Sequence, residues 1–282
     1  MANPVPTTTC KPHRLSADLM SDLHVDKWDG ETYDYAAHKK SDIAIVAGDV
    51  ADGSAVTLAE LKRIAAVYKT VLFVDGNHEF YKAGRVTNAG SVYDFRFEAI
   101  EKELRDGIAK IPNVIYLRDR PFVKDGIAII GRNGHWDYKI ADGITEKEAI
   151  ADAATAFRST FNEAASFSGM ARRDYYALRD QIIALNNDSS IHTIVVVTHT
   201  VPLKELLNKS PKSNLNWLSR GGSSVLRQLQ QYDAHKKIKF WLFGHTHEQI
   251  QQKIDGVFYR ENPRGKRKEG NTGYKPATIA FS

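Results

Sequence analysis

Carboxylate, carboxamide and imidazole side chains recur in this sequence at one kind of place, directly after short apolar runs. Asp22 and His24 follow Leu15–Leu19, and Gly48-Asp49 follows Ile43–Ala47. Asp75-Gly76-Asn77-His78-Glu79 follows Val71–Val74, Thr198-His199 follows Thr193–Val197, and Gly244-His245-Thr246-His247 follows Lys239–Phe243. These side chains are the oxygen and nitrogen donors that divalent first-row metals take. Asp22, His24, Asp49, Asn77, His199, His245 and His247 are enough for two ions sharing one bridging carboxylate. Gly48, Gly76 and Gly244 stand where a tight turn or a close backbone approach to a site is needed. An Asp-x-His or a Gly-Asp alone is ordinary turn chemistry. The specificity lies in five such pieces in order, each after strand-like sequence.

The elements that must position them follow from the same runs. Ile43–Ala47, Val71–Val74, Thr193–Val197 and Lys239–Phe243 are short, rich in Val, Ile and Phe, and nearly all apolar, as strands buried on both faces are. Leu15–Leu19 alternates and predicts a strand with one less buried face; Val114–Leu117 and Ile127–Ile130 are weaker strands. Thr57 to Glu60 predicts a capping box opening a helix with Leu61, Ile64, Ala65 and Tyr68 on one face. Thr145 to Glu148 predicts another, opening a longer helix with Ile150, Ala153, Phe157 and Phe161 in register. Phe95–Ile108 and Ser223–Tyr232 also have helical patterns. Glu248–Asn262 predicts a hairpin turning at Asp255-Gly256, and Lys275–Phe281 a last strand. Strands alternating with helices define an α/β protein, in which ligands gather outside the carboxyl ends of the strands.

The 282 residues are 42% hydrophobic and 26% charged, an ordinary globular composition. No Pro/Gly/Ser linker divides the chain, and a site built from both ends predicts one domain over residues 14–282 behind a flexible tail, residues 1–13. A single cysteine, Cys10, excludes a disulfide framework, an iron–sulfur cluster and a thiolate zinc site. No apolar run approaches the roughly 18 residues that span a bilayer, and Met1 to Arg14 has no signal-peptide core, so a cytoplasmic protein without a membrane partner is expected. The net charge of +5 permits an anionic substrate without requiring nucleic acid.

Asp22-x-His24, Gly48-Asp49, Gly76-Asn77-His78-Glu79, His199 and Gly244-His245-x-His247 together resemble the signature blocks of the calcineurin-like metallophosphoesterases. Asn113–Leu117, Trp136-Asp137-Tyr138 and Asn262-Pro263-Arg264-Gly265 are more loosely similar to stretches of the smaller bacterial and phage members. The resemblance implies a four-layer α/β/β/α sandwich, two mixed β-sheets flanked by helices, with a dinuclear metal site at one end. It implies that Asp22, His24 and His247 hold one ion, that Asn77, His199 and His245 hold the other, and that Asp49 bridges them. His78 would bind no metal but face the phosphate and the leaving oxygen. The ions would be Mn²⁺, Fe²⁺, Zn²⁺ or Ni²⁺, with Mn²⁺ favoured.

The expected reaction is hydrolysis of a phosphomonoester or phosphodiester by a hydroxide bridging the two ions, with His78 as general acid. Expected partners are a phosphorylated small molecule, a nucleotide or nucleic acid. A nuclease-like phosphodiesterase is the alternative, favoured by the basic run Arg264, Lys266, Arg267 and Lys268; a non-catalytic scaffold is the third reading. Arg264 is expected to contact phosphate and His135, beside Trp136, to line the substrate pocket. Asp26, Asp52 and Glu79 lie next to the blocks and are expected mainly as solvent-facing loop acids.

Overall fold

The apolar runs form strands whose alternate side chains enter two different hydrophobic layers. In the strand Ile43–Ala47, Ala44 and Val46 point into one layer, and Ile43, Ile45 and Ala47 into another. Such a run has no polar face because both of its faces are covered.

The computed structural model describes residues 15–87, 90–207 and 214–281. The predicted tail and Cys10 lie outside them. Along the chain the strands are β1 (Ser16–Met20), β2 (Ile43–Ala47), β3 (Thr70–Val74), β4 (Tyr81–Thr87), β5 (Gly90–Tyr93), β6 (Val114–Tyr116), β7 (Phe122–Lys124), β8 (Ile127–Gly131), β9 (Thr193–Val197), β10 (Ile238–Phe243), β11 (Gln251–Ile254), β12 (Val257–Glu261) and β13 (Ala277–Ala280). The helices are α1 (Tyr35–His38), α2 (Ser54–Ala65), α3 (Phe97–Ile108), α4 (Glu146–Phe157), α5 (Phe161–Asn187), α6 (Lys204–Leu207) and α7 (Leu215–Leu218).

One sheet has the order β13-β1-β2-β3-β6, parallel except for β13. The other has the order β11-β12-β10-β9-β8-β7, with antiparallel strands at its two edges. Leu19, Ile45 and Val74 from the first meet Ile129, Val197 and Leu242 from the second in a buried layer between the sheets. Outside the first sheet, α2, α3 and α4 supply Leu61, Leu104 and Ala153 to a second layer. Outside the other, Leu178 and Ile182 pack with Val196 and Phe243. The result is the expected α/β/β/α sandwich of two mixed sheets. The long α5 joins its outer layers: Ala164 and Phe167 lie in one and Leu178 in the other. No described helix is long and apolar enough to cross a membrane.

Four local readings are corrected. The first strand has no solvent face: Asp18 is fully buried because it accepts hydrogen bonds from Lys40 N, Ser41 N, the Tyr68 hydroxyl and Thr278 Oγ1. Helix α2 begins at Ser54, after Gly53 at φ 83°, so Thr57 is interior and its hydroxyl donates to Glu79 instead of capping. The Thr145–Glu148 capping box does open α4, but Arg158 at φ 52° ends it. A further box, Thr160 with Glu163, starts α5, which leaves Phe161 exposed. The hairpin turns at Asp255-Gly256 as read, both residues having positive φ. Ser223–Tyr232 yields only a 3₁₀ stretch, Leu226–Tyr232.

Candidate metal centre

Parallel strands put all their carboxyl ends on one edge of a sheet, and here the two such edges meet. The loop after β1 carries Asp22 and His24, the loop after β2 Asp49, and the loop after β3 Asn77 and His78. The loop after β9 carries His199, and that after β10 His245 and His247. The loops are tied together: Asp22 N donates to Gly48 O, His24 N to Asp49 O, Gly244 N to His199 O, and His245 N to Asp22 Oδ1.

The backbone there is unusual. Asp22, His24, Asp49, His245 and His247 all have positive φ, between 42° and 82°. That conformation is uncommon for non-glycine residues and collects at functional sites. The glycines serve close approach. A Cβ on Gly48 would lie 2.5 Å from His199 Nδ1, and one on Gly244 2.6 Å from Asp22 Oδ2.

The seven residues singled out from sequence come together. Asp22, His24, Asp49 and His247 form one group of inward-facing donor atoms, and Asp49, His199 and His245 another, each within 4.8 Å. Asp49 belongs to both: its Oδ2 is 3.8 Å from His24 Nε2 and its Oδ1 3.2 Å from His199 Nε2. His24 Nε2 lies 2.9 Å from His247 Nε2, which is 3.5 Å from Asp22 Oδ1. His199 Nε2 lies 3.0 Å from Asn77 Oδ1 and 3.3 Å from His245 Nδ1.

The outer nitrogens decide which atoms face inward with lone pairs. His199 Nδ1 is 2.9 Å from the Ala47 carbonyl, and His245 Nε2 is 3.0 Å from the Arg220 carbonyl. His247 Nδ1 is 2.7 Å from Glu269 Oε2. Each outer nitrogen faces an acceptor that can take its proton, so His199 Nε2, His245 Nδ1 and His247 Nε2 are the atoms free to turn lone pairs toward a cation. Imidazole nitrogens packed this closely against carboxylate and amide oxygens need a positive charge among them, a proton or a cation. This donor set therefore fits a pair of divalent cations, with no thiolate and a shared carboxylate.

The acid–base balance shows the same demand for positive charge. Burial opposes charge on His199, but Asp49 and Asp22 outweigh it and lift the imidazole to about 10. Burial and the charge of His199 push His245 down to about 3. Burial raises Asp22, and burial with Asp49 pushes Glu79 up to about 8. Burial and Asp22 hold Glu261 well above the usual carboxylate range. A bound divalent ion reverses this logic by favouring the ionised acids.

Glu79 and Asp52 are buried, not solvent-facing. Glu79 accepts from Asp49 N at 3.1 Å, Val50 N at 2.7 Å and Gly76 N at 2.6 Å, and so fixes two of the loops. Asp52 Oδ1 holds His78 Nδ1 at 2.6 Å, while its Oδ2 takes Lys27 Nζ. Only Asp26 remains an exposed loop acid, paired with Lys27. Glu261, which accepts from Thr246 N and His247 N, and Glu269 were not singled out from sequence; nothing in their local pattern marks them.

The cluster opens into a cavity of about 1000 Å³ lined by Asp49, Asn77, His78, His245 and His247 at its base. His135 does not line it. Its ring is fully buried, Nδ1 held by Asp174 at 2.8 Å, with Phe80 and Phe167 around it. Arg264 does not line it either. Its guanidinium is buried over Trp28, 3.9 Å from the ring centroid, where it clamps the first loop to the last. Lys266, Arg267 and Lys268 line the cavity in its place.

Comparison with known proteins agrees with this architecture. The calcineurin-like phosphoesterase family profile matches residues 17–249. An uncharacterized protein of Acanthamoeba polyphaga mimivirus is 22% identical over 212 residues, which is 74% of this chain and 73% of that protein. The fold is that of the phosphopantetheinyl hydrolase of Mycobacterium tuberculosis, with a TM-score of 0.72 and 18% identity over 91% of each chain. It is also that of a dimetal phosphatase from Danio rerio, with a TM-score of 0.56 and 11% identity over 95% of this chain and 92% of that one. The chain is a metal-dependent phosphoric ester hydrolase and belongs to the calcineurin-like phosphoesterase family.

Proposed function

We propose that this enzyme hydrolyses phosphomonoesters or phosphodiesters of small molecules, with Asp22, His24 and His247 holding one divalent ion, Asn77, His199 and His245 a second, and Asp49 shared between them. The observation that carries this reading is the convergence of imidazole nitrogens with carboxylate and amide oxygens, with Asp49 common to both groups. Mn²⁺ is the favoured ion, since an all-nitrogen-and-oxygen donor set suits it. Phosphopantetheinyl hydrolase and dimetal phosphatase, the names borne by two proteins of this fold, agree with a phosphorylated small molecule as substrate.

When bound, two such ions supply Lewis acidity toward phosphoryl oxygens and acidify water. The protein's own groups do the rest. Glu79, Glu261 and Glu269 hold the loops and rings in place. His78 lies at the cavity base with Nδ1 fixed by Asp52, so its Nε2 is the atom left to give a proton to the leaving oxygen. Tyr81 packs on the His78 ring, centroids 4.3 Å apart, and limits its rotation.

The test is hydrolysis of p-nitrophenyl phosphate and bis-p-nitrophenyl phosphate after chelation and after Mn²⁺ is returned. Turnover that disappears with chelator and comes back with metal supports the reading. Full turnover in the chelated protein refutes it.

A further inference from the structure

The cavity above the metal centre has two chemically different walls. On the His245 side stand aromatic rings. Trp217, on α7, lies parallel to the His245 ring within 10°, centroids 6.4 Å apart. Phe157, the last residue of α4, and Tyr81 line the cavity as well, and all three rings keep part of their surface open. The wall is braced from behind: Asp152 of α4 accepts from Asn216 Nδ2 at 2.7 Å and lies 3.5 Å from the Arg220 guanidinium, which sits over the Phe157 ring.

On the His247 side stands the basic loop. Glu269 pins it, accepting from Lys266 N at 2.9 Å while holding His247 Nδ1. Of its cations, Arg267 is neutralised by Asp29 and Glu31. Lys266 and Lys268 line the cavity and have no acidic partner among the described residues. Lys27, also on this rim, is taken by Asp26 and Asp52. Two ammonium groups without an acidic partner among the described residues therefore line the same cavity as the candidate metal ligands. Arg220 covers Phe157, and His78 and Tyr93 pack on Tyr81, so the partly exposed indole of Trp217 is the platform for a flat heterocycle, since stacking is strong and tolerant of ring identity.

We propose that the substrate is a nucleotide carrying two phosphoryl groups, with its heterocycle on Trp217, the reacting phosphorus at the metal centre, and the second phosphoryl group on Lys266 and Lys268. A cavity of about 1000 Å³ is large enough for such a molecule. In a nucleoside diphosphate, water adds to the phosphorus bearing the nucleoside and the P–O bond to the outer phosphoryl group breaks. That oxygen takes a proton, giving nucleoside monophosphate and orthophosphate. The inference extends the phosphoesterase reading from an ester to an anhydride P–O bond at the same centre, and rests on it.

The test measures dissociation constants on the Mn²⁺-loaded protein by calorimetry. Adenosine 5′-(α,β-methylene)diphosphate is compared with methylenediphosphonate, which lacks the ring, and with adenosine 5′-phosphorothioate, which lacks the second phosphoryl group. Loss of the ring is expected to weaken binding about tenfold or more, and loss of the second phosphoryl group about tenfold. Trp217→Leu should shrink the ring preference, and Lys266→Ala with Lys268→Ala the second-phosphoryl preference. The lysines lie at the surface and their replacement does not disturb the core. Equal affinity for the three compounds, or variants that weaken all three alike, overturns the proposal. So does an oligonucleotide that binds more than tenfold tighter than the nucleotide, which would make the surface a nucleic-acid site. Loss of these preferences while p-nitrophenyl phosphate is still hydrolysed overturns this inference alone. No metal-dependent hydrolysis of p-nitrophenyl phosphate overturns the reading beneath it, and this one with it.

Discussion

Asp52 Oδ1 lies 2.6 Å from His78 Nδ1, and both side chains are buried. The carboxylate holds the ring by Nδ1 and leaves Nε2, the opposite nitrogen, to face the cavity. His78→Ala should lower turnover by roughly 10²–10⁴-fold while the metal content stays the same. Asp52→Asn should lower it less, because an amide oxygen can still accept from Nδ1. Steady-state kinetics across pH, with metal analysis of the same samples, checks both.

Asp49 is common to both groups of donor atoms, whereas His247 belongs to one. Asp49→Ala should therefore reduce bound metal from two equivalents toward none, and His247→Ala should leave about one. Elemental analysis of protein dialysed against a fixed Mn²⁺ concentration distinguishes the two. Equal losses would mean that Asp49 is not shared.

Glu269 reaches the candidate centre through His247 Nδ1, at 2.7 Å. An outer carboxylate of this kind typically changes metal affinity by about 10–100-fold. Glu269→Ala should weaken one of two Mn²⁺ binding steps by that factor and leave the other unchanged in a competition titration. Glu269→Gln should recover part of the loss, since an amide oxygen still accepts from Nδ1.

Behind the site, Arg118 is buried between Asp75 and Asp174, 3.1 Å from a carboxylate oxygen of each. Asn133 also donates to Asp75, and its carbonyl accepts from His199 N, so this cluster supports the centre. Removing one member leaves a buried charge unpaired, which costs about 3–5 kcal/mol. Arg118→Met should lower stability by that amount in urea denaturation.

The same cluster sets an acid dependence. Burial would raise the Asp174 carboxyl, but Arg118 and His135 outweigh burial and hold it far below the usual range. The unfolded chain titrates near about 3.9. With the folded value lower, the unfolded state binds more protons, so this stabilisation is complete above the unfolded value and is lost as pH falls below it. Asp174→Asn should lower stability at neutral pH and flatten its decline below about pH 4. An unchanged acid slope would show that Asp174 is not among the groups responsible.

The residues that converge at the strand ends were legible because their placement is local. An apolar run that ends in Gly and a donor residue specifies a buried parallel strand and the loop at its carboxyl end. Parallel strands then bring such loops to one edge whatever lies between them. The same holds for the hairpin at Asp255-Gly256 and the Thr145 capping box, whose partners lie within a few residues.

Contacts across long stretches of chain were not legible. Thr57 carries a capping pattern, but Gly53 turns the chain earlier and makes it interior. His135 and Arg264 have the chemistry of phosphate contacts. Asp174, 39 residues from His135, and Trp28, on the first loop, draw them into the interior instead. Glu269 becomes the partner of His247 only because the last loop folds back over the site. Residue type and strand ends thus determined which atoms could hold metal. Burial decided which nearby charges support the centre, because a buried ionic or polar group is tolerated only where folding supplies its partner.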